Sequence, residues 1–281
     1  LGSSLKMGPG GKGSNQAVAA HRAGANVTLV TKVGKDVFGK VATDFYTAEG
    51  MNTDYILIDE KKETGVALIM VDEVSAQNEI VVIPAACANI TPEDVEKCRP
   101  LIEGAAYILL QHEINFDAQY KVIDIAHAAG VKVVLNPAPA CEIPEDVIGK
   151  IDIVTPNETE AQVLTGVEVK TREDAERAAK VFFDKGVKNV VITMGALGAF
   201  ASDGQKSELL PRLKVDAIDS TGAGDAFNGG FLMALSEGKD LFTALRYGNA
   251  TGALSVTKLG TAPAMPHRAE IDAMVRENYG I

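Results

Sequence analysis

The 281 residues predict an α/β fold: a doubly wound, mostly parallel sheet with helices on both faces, plus a small β lid. Three observations carry this. Apolar strand-like runs alternate with helix-like segments almost throughout, and from Thr91 onward the rhythm is regular. Those runs are apolar on both of their faces, as strands covered by helices on both sides must be. Polar and glycine residues recur just after them, where such sheets hold their ligands.

Each element has its own warrant. Ser14 to Gly24 reads as a helix leading into the β-rich Val27-Thr28-Leu29-Val30. A second helix, Asp36 to Gly50, ends on glycine, which tolerates the left-handed turn a helix end needs. Val66 to Val71 and Ile80 to Ile83 read as two strands at a sheet edge or lid. The later strands are Ile108-Leu109-Leu110, Val131 to Leu135, Ile151 to Val154 and Val190-Val191-Ile192. Helices lie around Asp117–Ala129, Glu158–Leu164 and Arg172–Lys185. Glu113, Asn136, Asn157 and Thr193-Met194-Gly195 each follow one of these strands, and Asp225 follows a short Val215–Ile218 segment. Such loops are polar in any case, and Asn157 could simply cap the next helix. The recurrence across the whole set is what points to a ligand site.

Composition narrows the function. A net charge of −11 argues against nucleic acid, whose binding is dominated by contacts to phosphate. Hydrophobic residues make up 46%, enough for a substantial core, and no apolar run approaches a membrane span. The acidic balance suits a cytoplasmic enzyme. Cys87, Cys98 and Cys141 are an odd number without a CxxC spacing, so neither a disulfide framework nor a zinc site is expected.

The most informative run is Asp219-Ser220-Thr221-Gly222-Ala223-Gly224-Asp225. Its glycines let backbone N–H groups approach a ligand unshielded. The small apolar stretch Ala226 to Leu235 follows at once, so the glycines open a helix, where free N–H groups and the helix dipole gather an anion. Asp225 would repel a phosphate held there. Its presence makes sense if it takes a proton from an attacking hydroxyl while an anion hole at Gly222–Asp225 holds the transferring phosphoryl group. A Gly-rich turn capped by an acid is the plainer alternative.

Gly8-Pro9-Gly10-Gly11-Lys12-Gly13 matches G-x-G-x-x-G only in letters. A dinucleotide site needs an acid at the end of the next strand, and Lys32 stands there. The spacing of a P-loop is also absent. What remains is a glycine turn presenting Lys12 and Asn15 at a helix start, suited to a polyol.

Gly10-Gly11-Lys12-Gly13-Ser14-Asn15-Gln16-Ala17, Asn136-Pro137-Ala138-Pro139-Ala140, Thr155-Pro156-Asn157-Glu158-Thr159-Glu160, Thr193-Met194-Gly195-x-x-Gly198 and the Asp219–Asp225 run occur in this order. Together they resemble the ribokinase branch of the PfkB family of carbohydrate kinases, from Met7 to the C-terminus. The resemblance implies a single ribokinase-like domain over 1–281, with lid strands within about 1–13 and 64–84. It implies ATP-dependent phosphorylation of the primary hydroxyl of a pentose, D-ribose to ribose 5-phosphate. Fructose, adenosine, 2-keto-3-deoxygluconate or fructose phosphate are alternatives within the class, and a non-catalytic sugar binder lies outside it. Glu113 with no arginine cluster nearby speaks against a phosphorylated substrate, and an intact Asp225 against a pure binder.

Carried over by residue, the resemblance gives Gly11, Lys12, Gly13, Ser14, Asn15 and Glu113 to the sugar. Asp225 becomes the base, and Gly222, Ala223 and Gly224 the anion hole. Asn157, Thr193, Met194, Gly195, Gly198, Gly224 and Asn249 would line ATP. Glu160 would hold Mg²⁺ through water, which suits an ion that keeps several waters. A monovalent cation, K⁺, would sit on Asp219 and the carbonyls of Thr221, Ser255, Lys258 and Gly260. Ala264 stands where many ribokinases have serine, which weakens the expected K⁺ dependence. A homodimer through the lid is implied. Leu1–Met7 resembles the first lid strand, so a preceding buried strand with a sugar-binding aspartate has no counterpart here, and a longer natural chain is expected.

Overall fold

The computed structural model describes residues 7–71 and 78–281, so the lid strand expected at Leu1–Met7 falls almost wholly outside them. Helix α1 (Lys12–Arg22) starts two residues before the predicted Ser14. Gly11, at φ 88°, turns the chain, and the Glu113 carboxylate accepts the Lys12 N–H at 2.8 Å in place of a local cap. Lys12 and Gly13 are therefore helix, not lid. Strand β1 (Thr31–Gly34), helix α2 (Val37–Ala48) and strand β2 (Ile56–Asp59) follow, with β1 and β2 paired in parallel. This corrects the strand expected at Val27–Val30, where Thr28 alone makes a bridge, to Asn52. Leu29 is buried among α1 and α2 residues, so the apolar run marked burial and not pairing.

Strands β3 (Val66–Val71) and β4 (Asn78–Ile83) form a separate antiparallel ribbon, as the lid reading expected. Leu68, Ile69, Met70, Val81, Val82 and Ile83 are all exposed on it. Its foot is tied down by Asp36, which caps α2 through Gly39 N–H and also accepts from the Thr64 N–H and hydroxyl, both at 2.7 Å.

Short helices α3 (Pro92–Lys97) and α4 (Arg99–Glu103) lead into the main sheet. Its elements are β5 (Tyr107–Gln111), α5 (Phe116–Ala128), β6 (Lys132–Asn136), α6 (Glu145–Ile148), β7 (Ile153–Val154), α7 (Glu158–Thr165), α8 (Arg172–Asp184), β8 (Asn189–Thr193), β9 (Ala199–Ser202) and β10 (Ser207–Leu210). The order across it is β10-β9-β8-β7-β6-β5. Strands β5 to β8 are parallel, and β9 and β10 add an antiparallel edge. Helices α9 (Ala223–Ser236), α10 (Leu241–Ser255) and α11 (Arg268–Tyr279) complete the chain. The strand expected at Val215–Ile218 does not form. That segment is held instead by the Val256 carbonyl, which accepts from Ile218 N–H at 2.7 Å.

Side-chain alternation sorts the sheet into two layers. Val133, Leu135, Val190, Ile192 and Phe200 pack with α3, α4, α5 and α8, whereas Val134, Val191, Ala199 and Ala201 pack with α9, α10 and α11. Among the described residues no helix is long and apolar enough to cross a membrane.

Helix α9 is wedged between α1 and α10 by adjacent glycines. A Cβ on Gly229 would lie 2.3 Å from the Ala19 Cβ, and one on Gly230 2.0 Å from the Thr251 hydroxyl. Nothing larger than hydrogen fits without moving a helix. Gly229→Ala is thus expected to destabilise the protein by about 1–3 kcal/mol through overpacking, read by denaturant unfolding. An unchanged unfolding midpoint would mean that α1 and α9 do not approach this closely.

Candidate active site

The parallel strands bring their carboxyl ends to one edge, and the site is built there. Gln111 ends β5 with Glu113 just beyond; Asn136 ends β6; Thr155 and Asn157 follow β7; Thr193 ends β8. From the other layer, α1 and α9 point their N-terminal turns at the same place.

Asp225 lies in the first turn of α9 and is buried. Both of its oxygens are held: Gln16 Nε2 donates to Oδ1 at 2.8 Å and Asn15 Nδ2 donates to Oδ2 at 2.8 Å. Gly222, at φ 79°, turns the chain into the helix, and α9 has no side-chain cap. Ala223 N–H is spent on Ser220 O, while the N–H groups of Gly224 and Asp225 make no hydrogen bond among the described residues. A Cβ on Gly224 would meet only open space. A helix start with free amides and an open approach can receive an anion.

The Asn15 Oδ1 is buried without a donor. An unpaired buried acceptor costs about 1–3 kcal/mol, so it fits a site that receives a hydroxyl. Ser14, by contrast, accepts from the Tyr46 hydroxyl at 2.8 Å, which ties α1 to α2 and occupies the side chain that the sequence offered to the sugar.

Electrostatics concentrate here. Burial is the main cause that pushes the Asp225 carboxyl above its ordinary 3.8, opposed by the Lys12 charge and by the Gln16 and Asn15 amides. Burial likewise raises Glu113 above its ordinary range, against the Lys12 N–H and charge, with Asp225 adding to the rise. Glu160 is also raised, again chiefly by burial. One buried acid, Asp225, and two half-buried ones, Glu113 and Glu160, thus share the field of one lysine.

Asn157 caps α7 after all: its Oδ1 accepts from Glu160 N–H, and Glu160 Oε2 accepts from Asn157 N–H, both at 2.8 Å. One Glu160 oxygen is left by this box to face solvent or a hydrated ion. That fits Mg²⁺, which needs few direct protein ligands. Among the described residues no three His, Cys, Asp or Glu side chains converge as a direct metal cage. Asp219 bridges two loops, accepting from Thr221 N–H at 2.9 Å and from Gly260 N–H at 3.0 Å. Burial alone would raise its pKa, but these donors hold the carboxyl below its ordinary range. An acid favoured in its charged form, joining the Thr221 and Gly260 loops, is chemically suited to a monovalent cation.

The nucleotide-side residues divide. Gly195 and Gly198 have φ of 47° and 108° and form the turn after β8; a Cβ on Gly198 would sit 1.9 Å from Leu210 O. Met194 is buried and belongs to the core cluster beneath the sheet, and its N–H is spent on Gly198 O at 2.8 Å. Asn249 spends its amide donors on Pro211 O at 2.9 Å and on the Tyr279 hydroxyl at 2.8 Å, anchoring the chain after β10 to α11.

Three polar residues of the site had no assigned role in the sequence reading: Gln16, Gln111 and Asn228. Gln111 Nε2 donates to Gln16 Oε1 at 2.7 Å, and Gly13 lets Gln111 come close, since a Cβ there would lie 3.1 Å from its Oε1. Asn228 joins α9 to β7 through the Thr155 hydroxyl at 2.7 Å. For Gln16 and Asn228 the one available signal was a polar residue inside an otherwise small, apolar helix; for Gln111 it was a polar residue ending an apolar strand.

A carboxylate beside free helix amides, at the carboxyl edge of a parallel sheet, is the arrangement of a phosphotransferase acting on an alcohol. The comparisons make the class specific. The chain matches the pfkB family carbohydrate kinase model over residues 1–268 and belongs to that family; it is an ATP-dependent sugar kinase. It is 43% identical to the ribokinase of Haemophilus influenzae over 96% of this chain and 88% of that one. It is 36% identical to the deoxyribokinase of Salmonella typhi over 93% and 86%. Among solved structures, Arabidopsis thaliana ribokinase complexed with ribose and ATP superposes with a TM-score of 0.91 at 29% identity, covering 98% of this chain and 89% of that one.

Two outcomes follow from Asp225. Asp225→Asn should keep the fold and lower kcat by roughly 10²–10⁴-fold, the span for losing a positioned base. Because the base must be ionised, kcat/KM should rise with pH along a limb above the ordinary 3.8 and then level, as the raised carboxyl requires. Near-normal turnover in a stable Asp225→Asn protein would remove the base role.

Proposed function

We propose that this chain transfers the γ-phosphoryl group of ATP to the primary hydroxyl of a pentose, D-ribose to ribose 5-phosphate. The observation that carries the reading is Asp225, held by two amides beside the unbonded N–H groups of Gly224 and Asp225. The sugar lies against Gly11, Lys12, Gly13, Asn15 and Glu113, with one hydroxyl donating to the open Asn15 Oδ1. Asp225 accepts the proton of the attacking hydroxyl as its oxygen bonds to the γ-phosphorus. The bond from that phosphorus to the bridging oxygen breaks, and ADP leaves. The α9 amides and Lys12 meet the charge gathered on the phosphoryl oxygens.

ATP brings negative charge to a site that already holds the carboxyls of Asp225, Glu113 and Glu160, so cations are needed for it to bind. When bound, Mg²⁺ would neutralise the phosphates, with Glu160 holding its waters and Asn157 beside them. A K⁺ behind the anion hole, on Asp219 and the Thr221, Ser255, Lys258 and Gly260 carbonyls, would support the Gly222–Gly224 turn. Ala264 offers no side-chain oxygen there. Thr193, Gly195 and Gly198 would line the nucleotide, with the Met194 backbone and the Asn249 carbonyl oxygen near it. Exposed Leu68, Ile69, Met70, Val81, Val82 and Ile83 on the lid ribbon support pairing with a second copy.

An ADP-release assay over a sugar panel that includes ribose and 2-deoxyribose, with and without K⁺, tests the reading. Ribose should give the highest kcat/KM and K⁺ a modest rise; no turnover with any pentose would overturn it. Glu113→Gln and Lys12→Ala should each raise the sugar KM more than the ATP KM, by up to about tenfold or a hundredfold, the cost of a lost hydrogen bond to a charged group. Equal rises in both KM values would place these residues away from the sugar.

A further inference from the structure

We propose that Gln16 is the positioning residue of the catalytic base, aligning the Asp225 carboxylate for proton transfer. This rests on the reading of Asp225 as base, and the tests below separate the two.

Gln16 is fully buried, within a helix whose next residues are Ala17, Val18, Ala19 and Ala20. A buried amide is tolerated only where its hydrogen bonds are met. Here its donors and acceptor are all engaged, and its orientation is dictated by its neighbours. Gln111 Nε2 donates to Gln16 Oε1 at 2.7 Å, which fixes the Gln16 oxygen toward β5. Asn136 Nδ2 donates to Thr155 O at 2.8 Å, which turns the Asn136 oxygen toward Gln16. The Gln16 NH₂ must then face two acceptors, Asn136 Oδ1 at 2.9 Å and Asp225 Oδ1 at 2.8 Å. Its two protons match these two oxygens.

A chain of side-chain amides thus runs from the ends of β5 and β6 to the base on α9, through one residue of α1. Its effect on the base is twofold. With Asn15 on the other oxygen, Gln16 fixes the plane of the carboxylate, so the lone pair that receives the proton has one direction. As a neutral donor it also favours the ionised form in a place where burial opposes it. The charged groups that face Asp225 are Lys12 from α1, Glu113 from beyond β5 and Glu160 from α7. None of them is altered by a change at position 16.

A glutamine that merely joined three elements would matter only for stability. Gln16→Met keeps the length and removes the donors. It should lower kcat about ten- to a hundredfold, the worth of one hydrogen bond to a charged group, with a smaller change in the KM for ATP. The acid limb of its kcat/KM profile should move to higher pH by about one unit or more. Gln16→Glu should move that limb further, since two carboxylates in hydrogen-bond contact share one proton. A folded Gln16→Met protein with a lower Tm but the parental kcat and acid limb would overturn the proposal and leave a structural joint. Should Gln16→Met fail to fold, Gln111→Met removes only the donor that orients Gln16, and its acid limb is read in the same way: an upward shift supports the proposal and an unmoved limb overturns it. An active Asp225→Asn enzyme would refute the base itself. An inactive Asp225→Asn enzyme beside an unchanged Gln16→Met enzyme would refute only the role of Gln16.

Discussion

The close crossing of α1 and α9 is the constraint from which the site follows. Gly229 against Ala19 and Gly230 against Thr251 leave no room for a side chain, so α9 can slide against neither neighbour. That contact sets where Asn15 and Gln16 meet Asp225. A shift of one ångström would lengthen both 2.8 Å bonds beyond a useful hydrogen bond. The glycines near the start of α9 serve ligand access, and those in its middle serve packing.

Charge is the second organising term. The end of the site that holds Glu113 is acidic and half-buried, which suits hydroxyl donors and disfavours phosphate. The unbonded amides lie at the other end, at the start of α9. Lys12 stands between the two, with its backbone on Glu113 and its charge acting on Glu113, Glu160 and Asp225. An arrangement of this kind favours nucleotide that carries its metal, which offsets part of the phosphate charge and is the form in which kinases take ATP.

Much of this was legible in the sequence. The parallel sheet, the β3–β4 strands and the polar strand exits came from periodicity, and the Asp219–Asp225 run marked a helix start whose first amides are unbonded. The misses have physical causes. Val27–Val30 is apolar because it lies under α1 and α2, and burial alone does not make a strand. The β9–β10 hairpin hid in small residues such as Ala199 and Ala201, whose weak β preference is overridden by pairing with β8. Gln16 and Gln111 drew no role because a buried amide declares its purpose only through partners far away in the chain. Asn157 served two readings at once, since a helix cap and a nucleotide contact call for the same side chain at the same place.

The acids of the site also bear on the protein's endurance. Asp225 and Glu113 hold their protons more firmly folded than unfolded. The folded form therefore gains from this pair as pH falls through their raised range, and loses that gain as pH rises past it. Other carboxylates, such as Asp36 and Glu49, act in the opposite sense, because their partners lower their pKa. These two carboxyls thus contribute less to stability at neutral pH than in acid. Any ligand whose hydroxyls hydrogen-bond to those carboxylates would give back part of the loss by binding the folded form alone, so occupancy of the site and resistance to heat would rise together.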